Sequence, residues 1–368
     1  MFSKAAINEK STAKKVFKIA ATTALFALVF LFIISLLFAF ALFAFYGFDN
    51  EDKLCIENQT TPKVLFCPRD NCSAALFSFL SHSLSADCAF YSITDKRIIS
   101  FLNSSDKNFR FVMDNSMQQK LASLNPMLKN RIHYDNNNQL MHNKFCIFNN
   151  SVVLTGSYNP TFNGNARNNN NIIIIKSRCL SRNYNSEFDM LWRKTAKTAS
   201  KRSSKPDIKA STIIHKAIIG NTTVENYFCP EDNCRSHILD KLLSANKSIY
   251  FMFFSFTDKA IADAIISKSH SDIDIKGIIE KNRASIRYNL YNYMKANSIN
   301  IIKDRNTYIM HHKVIIIDNR TVITGSYNPT LSANTKNYEN IVIITDAGVA
   351  NSYIAEFNRL FYGKENIA

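Results

Sequence analysis

Acidic residues are the scarce class in this chain. Against 45 Lys and Arg stand 29 Asp and Glu, which leaves a net charge of +16 over 368 residues. No group of carboxylates has the spacing of a divalent-metal site, so the pattern points to chemistry that needs neither metal nor other cofactor. Residues 1–48 carry five lysines and one glutamate, so +12 remains for residues 49–368. That basic part suits polyanionic partners: nucleic acid, anionic lipid headgroups or acidic polymers. Charge kept for solubility alone, or a bias toward Lys, Asn and Ile codons, would leave the same balance.

Charge is also missing from one long stretch. Ile19 to Tyr46 is a run of 28 residues without any, enough to cross a bilayer with tilt. Lys4, Lys10, Lys14, Lys15 and Lys18 precede it, and Asp49, Glu51 and Asp52 follow. The lysine bias makes it a single-pass anchor in the cell membrane, N-terminus in the cytoplasm and the remainder outside. A cleaved signal peptide, with Ala39-Phe40-Ala41 as its small-residue site, is the alternative, although the run exceeds an ordinary apolar region of about 7–15 residues.

What is present is a duplication. Residues 310–328 read MHHKVIIIDNRTVITGSYN and residues 141–159 read MHNKFCIFNNSVVLTGSYN, 169 positions earlier. In each, a His and a Lys two apart share one face of an extended segment, an apolar run follows, and a turn leads to a second short strand ending in Gly-Ser. Upstream, FCPRDNC (66–72) matches FCPEDNC (228–234), and SITDK (92–96) matches SFTDK (255–259). Two copies of a unit of domain size, not a solenoid of short repeats, account for these registers.

The second copy alternates strands and helices. Helices are expected at 236–246, 258–268 and 350–361, and strands at 248–256, 273–280, 299–303, 313–317, 321–324 and 341–345. This is an α/β chain with a mixed sheet in each copy. The expected organisation is a basic tail 1–18, a transmembrane helix 19–46, a linker 47–60, repeat 1 at 61–192, a flexible Ser/Lys linker 193–211 and repeat 2 at 212–368.

Cys67 and Cys72, and likewise Cys229 and Cys234, flank matched Pro-x-Asp-Asn turns. In an oxidising compartment each pair would close as a local disulfide; a four-thiolate zinc site joining the copies is the alternative. Cys55, Cys88 and Cys179 are not repeated, and Cys146, inside an apolar run, is expected to be a core residue.

The pattern His-x-Lys-x4-Asp followed by Gly-Ser-x-Asn, present twice, resembles the phospholipase D superfamily over nearly everything after residue 60. The resemblance implies two tandem repeats packed as a pseudo-two-fold pair, with one monomer sufficient for a site. It implies a phosphohistidine intermediate, with His142 and His311 as nucleophile and general acid. Lys144 and Lys313 would neutralise the phosphoryl charge, and Asn159, Asn328, Ser157 and Ser326 would donate to its oxygens. Asp318 of the second copy is Asn149 in the first, and Glu339 is matched by Asn170. Glu339, 28 residues after His311, is expected to hold the His311 ring and keep it protonated as the acid, leaving His142, backed by Asn170, as the neutral nucleophile. A decayed first copy that only supports the second is the alternative. His82, His133, His215, His237 and His270 have no repeated partner and read as surface or core histidines.

Three functions fit. A membrane-anchored nuclease acting outside the cell is favoured by compact repeats without lid or lipid-binding insertions. A phospholipase D acting on the lipids around it is the second. The third, a non-catalytic polyanion-binding protein, would have to keep two His-Lys pairs without using them.

Overall fold

The computed structural model describes residues 30–36, 38, 54–121, 126–135, 138–197 and 214–363. Most of the expected transmembrane stretch 19–46 lies outside them. Residues 30–36 and 38 are helical and exposed, and among the described residues no helix is long and apolar enough to cross a membrane. Both sheets and both repeats belong to the unit Lys53–Ala368.

Among the described residues sixteen strands make two sheets. In chain order they are β1 (Cys55–Glu57), β2 (Lys63–Cys67), β3 (Ser85–Phe90), β4 (Asn108–Asp114), β5 (Ile132–Asp135), β6 (Lys144–Phe148), β7 (Val152–Gly156) and β8 (Asn170–Lys176). There follow β9 (Lys216–Ile219), β10 (Thr222–Cys229), β11 (Ser248–Phe253), β12 (Asp274–Ile279), β13 (Asn300–Lys303), β14 (Lys313–Ile317), β15 (Thr321–Gly325) and β16 (Glu339–Thr345). One sheet runs β2-β8-β7-β6-β3-β4-β5; the other repeats that order as β10-β16-β15-β14-β11-β12-β13 and adds β9 and β1 at its edge. Each is mixed: β3, β4 and β5 pair in parallel, as do β11, β12 and β13, and the other pairings of the repeated order are antiparallel.

The strands that carry the His-x-Lys motifs are central. Every residue of β6 and β14 is buried, as their unbroken apolar runs require. Their hairpin turns, Asn149-Asn150 and Asp318-Asn319, have φ of 48°, 51°, 54° and 55°, a left-handed conformation that Asn and Asp tolerate. The Asn149 side chain accepts from the N–H groups of Leu84 and Ser85, and Asp318 accepts from those of Asn246, Lys247 and Ser248. Carboxylate and amide therefore do the same work here, tying the turn to the entry of β3 or β11.

The main apolar core is shared between the halves. Phe145, Tyr184 and Phe188 of the first pack in one cluster with Phe228, Val314, Tyr353 and Phe357 of the second. A buried polar ladder crosses it: Asn171 donates to Thr324 and to the Tyr353 hydroxyl, and Thr155 donates to Asn340. Buried amides with all-protein partners fix relative register in a way apolar contacts alone do not.

Two linker assignments need correction. Residues 193–197 do not loosen but complete the helix Arg178–Lys197, whose buried Leu191 and Thr195 extend its inner face; 198–211 lie outside the described residues. Cys55–Glu57, placed in the 47–60 linker, is a strand that pairs in parallel with β9. Its short edge contact is reinforced by a disulfide from Cys55 to Cys179 of that same helix. Cys67–Cys72 and Cys229–Cys234 also close as disulfides, which removes the thiolates a zinc site would need. Cys146 is buried, as its apolar run implied, but is not a free core residue: it is bonded to Cys88, directly opposite it across β3 and β6.

Candidate active site

Each His-x-Lys strap enters its strand only after pairing with the other half. The His142 N–H donates to the Tyr338 carbonyl at 3.0 Å, and the His311 N–H donates to that of Asn169 at 2.8 Å. Because β16 and β8 begin right after these carbonyls, Glu339 and Asn170 are delivered to the opposite repeat. Glu339 Oε2 lies 2.8 Å from His142 Nδ1, and Asn170 Oδ1 lies 2.9 Å from His311 Nδ1. The pairing inferred from sequence distance, Glu339 behind His311, is thus corrected: the carboxylate backs His142, and the amide backs His311.

The tautomers follow. His311 Nδ1 also meets the Ser157 carbonyl oxygen at 3.1 Å, an acceptor only, so Nδ1 carries the proton and Nε2 is the free nitrogen. Asn170 is oriented for this by donating its amide to the Gly164 carbonyl at 3.0 Å. At His142 the carboxylate imposes the same arrangement.

Ser157 and Ser326 stand elsewhere than expected. Both are fully buried. Ser326 Oγ donates to Glu339 Oε2 at 2.6 Å and accepts from the Asn340 N–H, while Ser157 Oγ lies 3.2 Å from both Asn170 Oδ1 and Asn171 Oδ1 and accepts from the Asn171 N–H. They hold the residues that hold the histidines and have no hydroxyl left for a phosphate. The glycines before them, at φ 142° and 147°, are required: a Cβ on Gly156 or Gly325 would lie 2.3 or 2.2 Å from the Asn171 or Asn340 carbonyl oxygen.

The lysines are buried beside the rings. Lys144 Nζ donates to the His142 carbonyl at 2.6 Å and Lys313 Nζ to the His311 carbonyl at 2.8 Å. Burial drives the Lys144 ammonium down to about 7, against the pull of Glu339 and Asp114. Burial, and then the charge of Lys144, push Lys313 well below its ordinary value. Glu339, although burial alone would raise it, is held below the usual carboxylate range by His142, with which it shares charge and a hydrogen bond, and by Lys144. Burial, followed by Lys313, Lys144 and His142, pushes His311 well below the usual imidazole value. Burial lowers His142 too, but Glu339 opposes it. The site is a pocket of cationic groups poorly compensated by anions, as a binder of negative charge should be.

Asn159 Oδ1 accepts from the Ser92 N–H at 3.3 Å, which leaves its amide protons available. The buried Asn328 Oδ1 has no partner among the described residues. The duplicated Thr-Asp pairs anchor this loop: the N–H groups of Thr94 and Asp95 donate to the Pro160 carbonyl, and those of Thr257 and Asp258 to that of Pro329. His312, between His311 and Lys313, points away as expected; its Nδ1 lies 3.2 Å from Asn171 Oδ1 and its Nε2 3.5 Å from Glu356.

Sequence reasoning missed the walls. The Tyr91 ring stands edge-on to His142 at 5.5 Å and the Phe254 ring to His311 at 4.9 Å. They occupy matching positions 163 apart, each one residue past a strand. Their N–H groups donate to the carbonyls of Asn143 and His312. The SITDK and SFTDK matches begin one residue after each ring, so the internal duplication held the signal. Arg283, 4.8 Å above Phe254, has no counterpart in the first half, where Met117 stands.

The family described as "Cardiolipin synthase, PLD-like domain" matches this chain twice, over residues 87–192 and 238–361. The chain belongs to the phospholipase D superfamily. It is a phosphodiesterase of that superfamily, with one motif-bearing repeat on each side of a shared site. A "Phospholipase D" of Rickettsia bellii (strain RML369-C) is 31% identical over 136 residues, 37% of this chain and 68% of the relative. A "Mitochondrial cardiolipin hydrolase" of Xenopus laevis is 29% identical over 136 residues, 36% of this chain and 65% of its own. The crystal structure of phosphatidylserine synthase from Haemophilus influenzae Rd KW20 superposes with a TM-score of 0.59 at 13% identity, covering 83% of this chain and 89% of that one, a likeness of fold.

Proposed function

We propose that this phospholipase D-superfamily enzyme is an extracytoplasmic nuclease, held at the membrane by residues 19–46 and cleaving phosphodiesters through a phosphohistidine on His142. The observation that carries the chemistry is the unequal pair of imidazoles, one from each repeat, both with Nδ1 held from behind. In the first step His142 Nε2 attacks phosphorus and the bond to the leaving oxygen breaks, with His311 Nε2–H donating the proton. Phosphorylated His142 keeps its Nδ1 proton and becomes cationic, a charge that Glu339 stabilises and an amide could not. His311, without a carboxylate, is the stronger acid once the incoming phosphate anion has raised its affinity for a proton. In the second step neutral His311 Nε2 takes a proton from water, the water oxygen bonds to phosphorus, and the P–N bond breaks. Lys144, Lys313, Asn159 and Asn328 hold the equatorial oxygens.

The nuclease reading is supported by the net basic charge, by the paired aromatic walls at the site, suited to bases on either side of a scissile phosphate, and by the lack, among the described residues, of an apolar insertion for acyl chains. Lipid hydrolysis is the second reading, favoured by the names of the two relatives. The lysine-flanked apolar run and the disulfides support an anchored enzyme in an oxidising compartment.

The test is direct. The protein and its His311→Asn variant are incubated, with a metal chelator present, with labelled single-stranded DNA, RNA and cardiolipin vesicles. A p-nitrophenyl phosphodiester, whose leaving group needs no acid, is run alongside. Strand cleavage by the wild type, and an acid-labile phosphoryl adduct mapped to His142 in the variant, are expected. Headgroup release without strand cleavage, or an adduct on His311 in a His142→Asn variant instead, would overturn the respective part.

A further inference from the structure

Where residues of the two repeats meet lies an open cleft of about 690 Å³ that neither motif explains. Its walls bring together four arginines, Arg69 and Arg167 from the first repeat and Arg305 and Arg359 from the second. One of its lining residues, Asn169, pairs with the strap that carries His311. Asn306 donates to Asn169 Oδ1 at 2.6 Å, and the Asn169 carbonyl accepts the His311 N–H.

The cleft's charge is neutralised only in part. Arg69 is paired with Asp70 at 3.4 Å and Glu356 at 3.5 Å, Arg359 with Glu356 at 2.8 Å, and Asp304 is occupied in accepting from the N–H groups of Lys281 and Asn306. Arg167 and Arg305 have no carboxylate partner among the described residues; Arg167 lies over the Phe162 and Tyr308 rings at 5.0 and 4.7 Å. Exposed guanidinium groups that converge from two repeats, at the cost of mutual repulsion, need an anion to offset it.

The charge is also one-sided. The repeat-equivalent positions in the sequence are Glu231 for Arg69, Lys336 for Arg167 and Met190 for Arg359, which sum to zero. Of the cleft-lining residues only Pro68, Leu360 and Gly363 lack a polar side chain.

We infer that this cleft is a phosphate-binding subsite that holds the backbone of a single-stranded nucleic acid on the His311 side of the scissile bond, so that the strand enters in one direction. The inference rests on the nuclease reading and adds to it a subsite and a polarity. Its residues touch neither reacting atom; they position the substrate by its neighbouring phosphates.

The experiment uses the full chain and the Arg167→Gln/Arg305→Gln variant, both side chains being at the surface, with melting curves to show that the variant folds. Substrates are a labelled single-stranded oligonucleotide and bis(p-nitrophenyl) phosphate, which has no second phosphate. The expected result is a fall of at least tenfold in the ratio of kcat/KM for the oligonucleotide to that for the small diester. The slope of log(1/KM) against log salt should also shrink by about 1.4, the value for two lost contacts to a single strand. Methylphosphonate linkages on one side of the cleaved bond should reproduce the effect, and those on the other side should not. An oligonucleotide cleaved equally well by both proteins, or equal sensitivity to uncharged linkages on both sides, overturns the subsite and leaves the nuclease reading standing. A wild type that hydrolyses the small diester but no oligonucleotide overturns both. A variant defect seen only with cardiolipin vesicles transfers the cleft to a lipid headgroup and overturns the inference as stated.

Discussion

Glu339 of the second repeat accepts a hydrogen bond from His142 of the first at 2.8 Å, across 197 residues of chain. Asn170 makes the reciprocal bond to His311. Neither repeat can therefore complete a histidine's support alone, and the two imidazoles differ because the two residues behind them differ.

The first prediction concerns that difference. Glu339→Gln should lower kcat by about 10²–10⁴-fold, the range for losing one contribution to acid–base or covalent catalysis. Asn170→Asp should instead raise the proton affinity of His311 and displace one limb of the pH–rate profile to higher pH. If Asn170→Asp left the profile in place and Glu339→Gln moved it, the roles given to His142 and His311 would be exchanged.

The second concerns pH and substrate binding. With Lys144 lowered to about 7, the free enzyme loses one site charge as pH rises through neutrality. The kcat/KM for an anionic diester should fall above about pH 7, because kcat/KM reports the free enzyme. Binding of inorganic phosphate should take up a proton near pH 8, measurable by calorimetry in buffers of different ionisation enthalpy. Lys144→Arg, which does not titrate, should reduce that proton uptake.

The third concerns the same lysine and stability. Its folded-state affinity for a proton is below that of the unfolded chain, so between about pH 7 and 10.5 the unfolded state holds more protons and stability rises with pH. Lys144→Met should flatten that slope and raise the melting temperature at pH 7 while reducing activity at least 10³-fold, as a buried charge is exchanged for an apolar stem. A variant that melts lower than wild type, with the slope intact, would contradict the burial described here.

The fourth concerns the longest covalent closure. Cys55–Cys179 spans 124 residues and ties β1, on the edge of the second sheet, to the last helix of the first repeat. The Cys55→Ser/Cys179→Ser variant should lose about 2–4 kcal/mol in denaturant unfolding. Strand β1 should lose amide protection before the sheets do.

By itself the sequence determined the duplication, the α/β character of each repeat and the two motif hairpins, and it marked Cys67–Cys72 and Cys229–Cys234 as candidate local closures, which the structure decided. These rest on local signals: an apolar run of strand length, Asn and Asp where φ must be positive, Gly where a Cβ would strike a carbonyl, and a Pro-x-Asp-Asn turn between two thiols. It placed His142, Lys144, His311 and Lys313 because two-residue spacing fixes a face within one strand. The tertiary structure alone decided what lies behind each imidazole. The strap of one repeat pairs with the strand entry of the other, and 28 residues of separation within a repeat carries no information about that exchange. The same crossing turns Ser157 and Ser326 from phosphate donors into supports, joins Cys88 to Cys146 across neighbouring strands, and gathers four arginines from distant positions into one cleft. Periodicity and turn chemistry report the few residues on either side of a position; contacts between two packed repeats depend on how their faces meet.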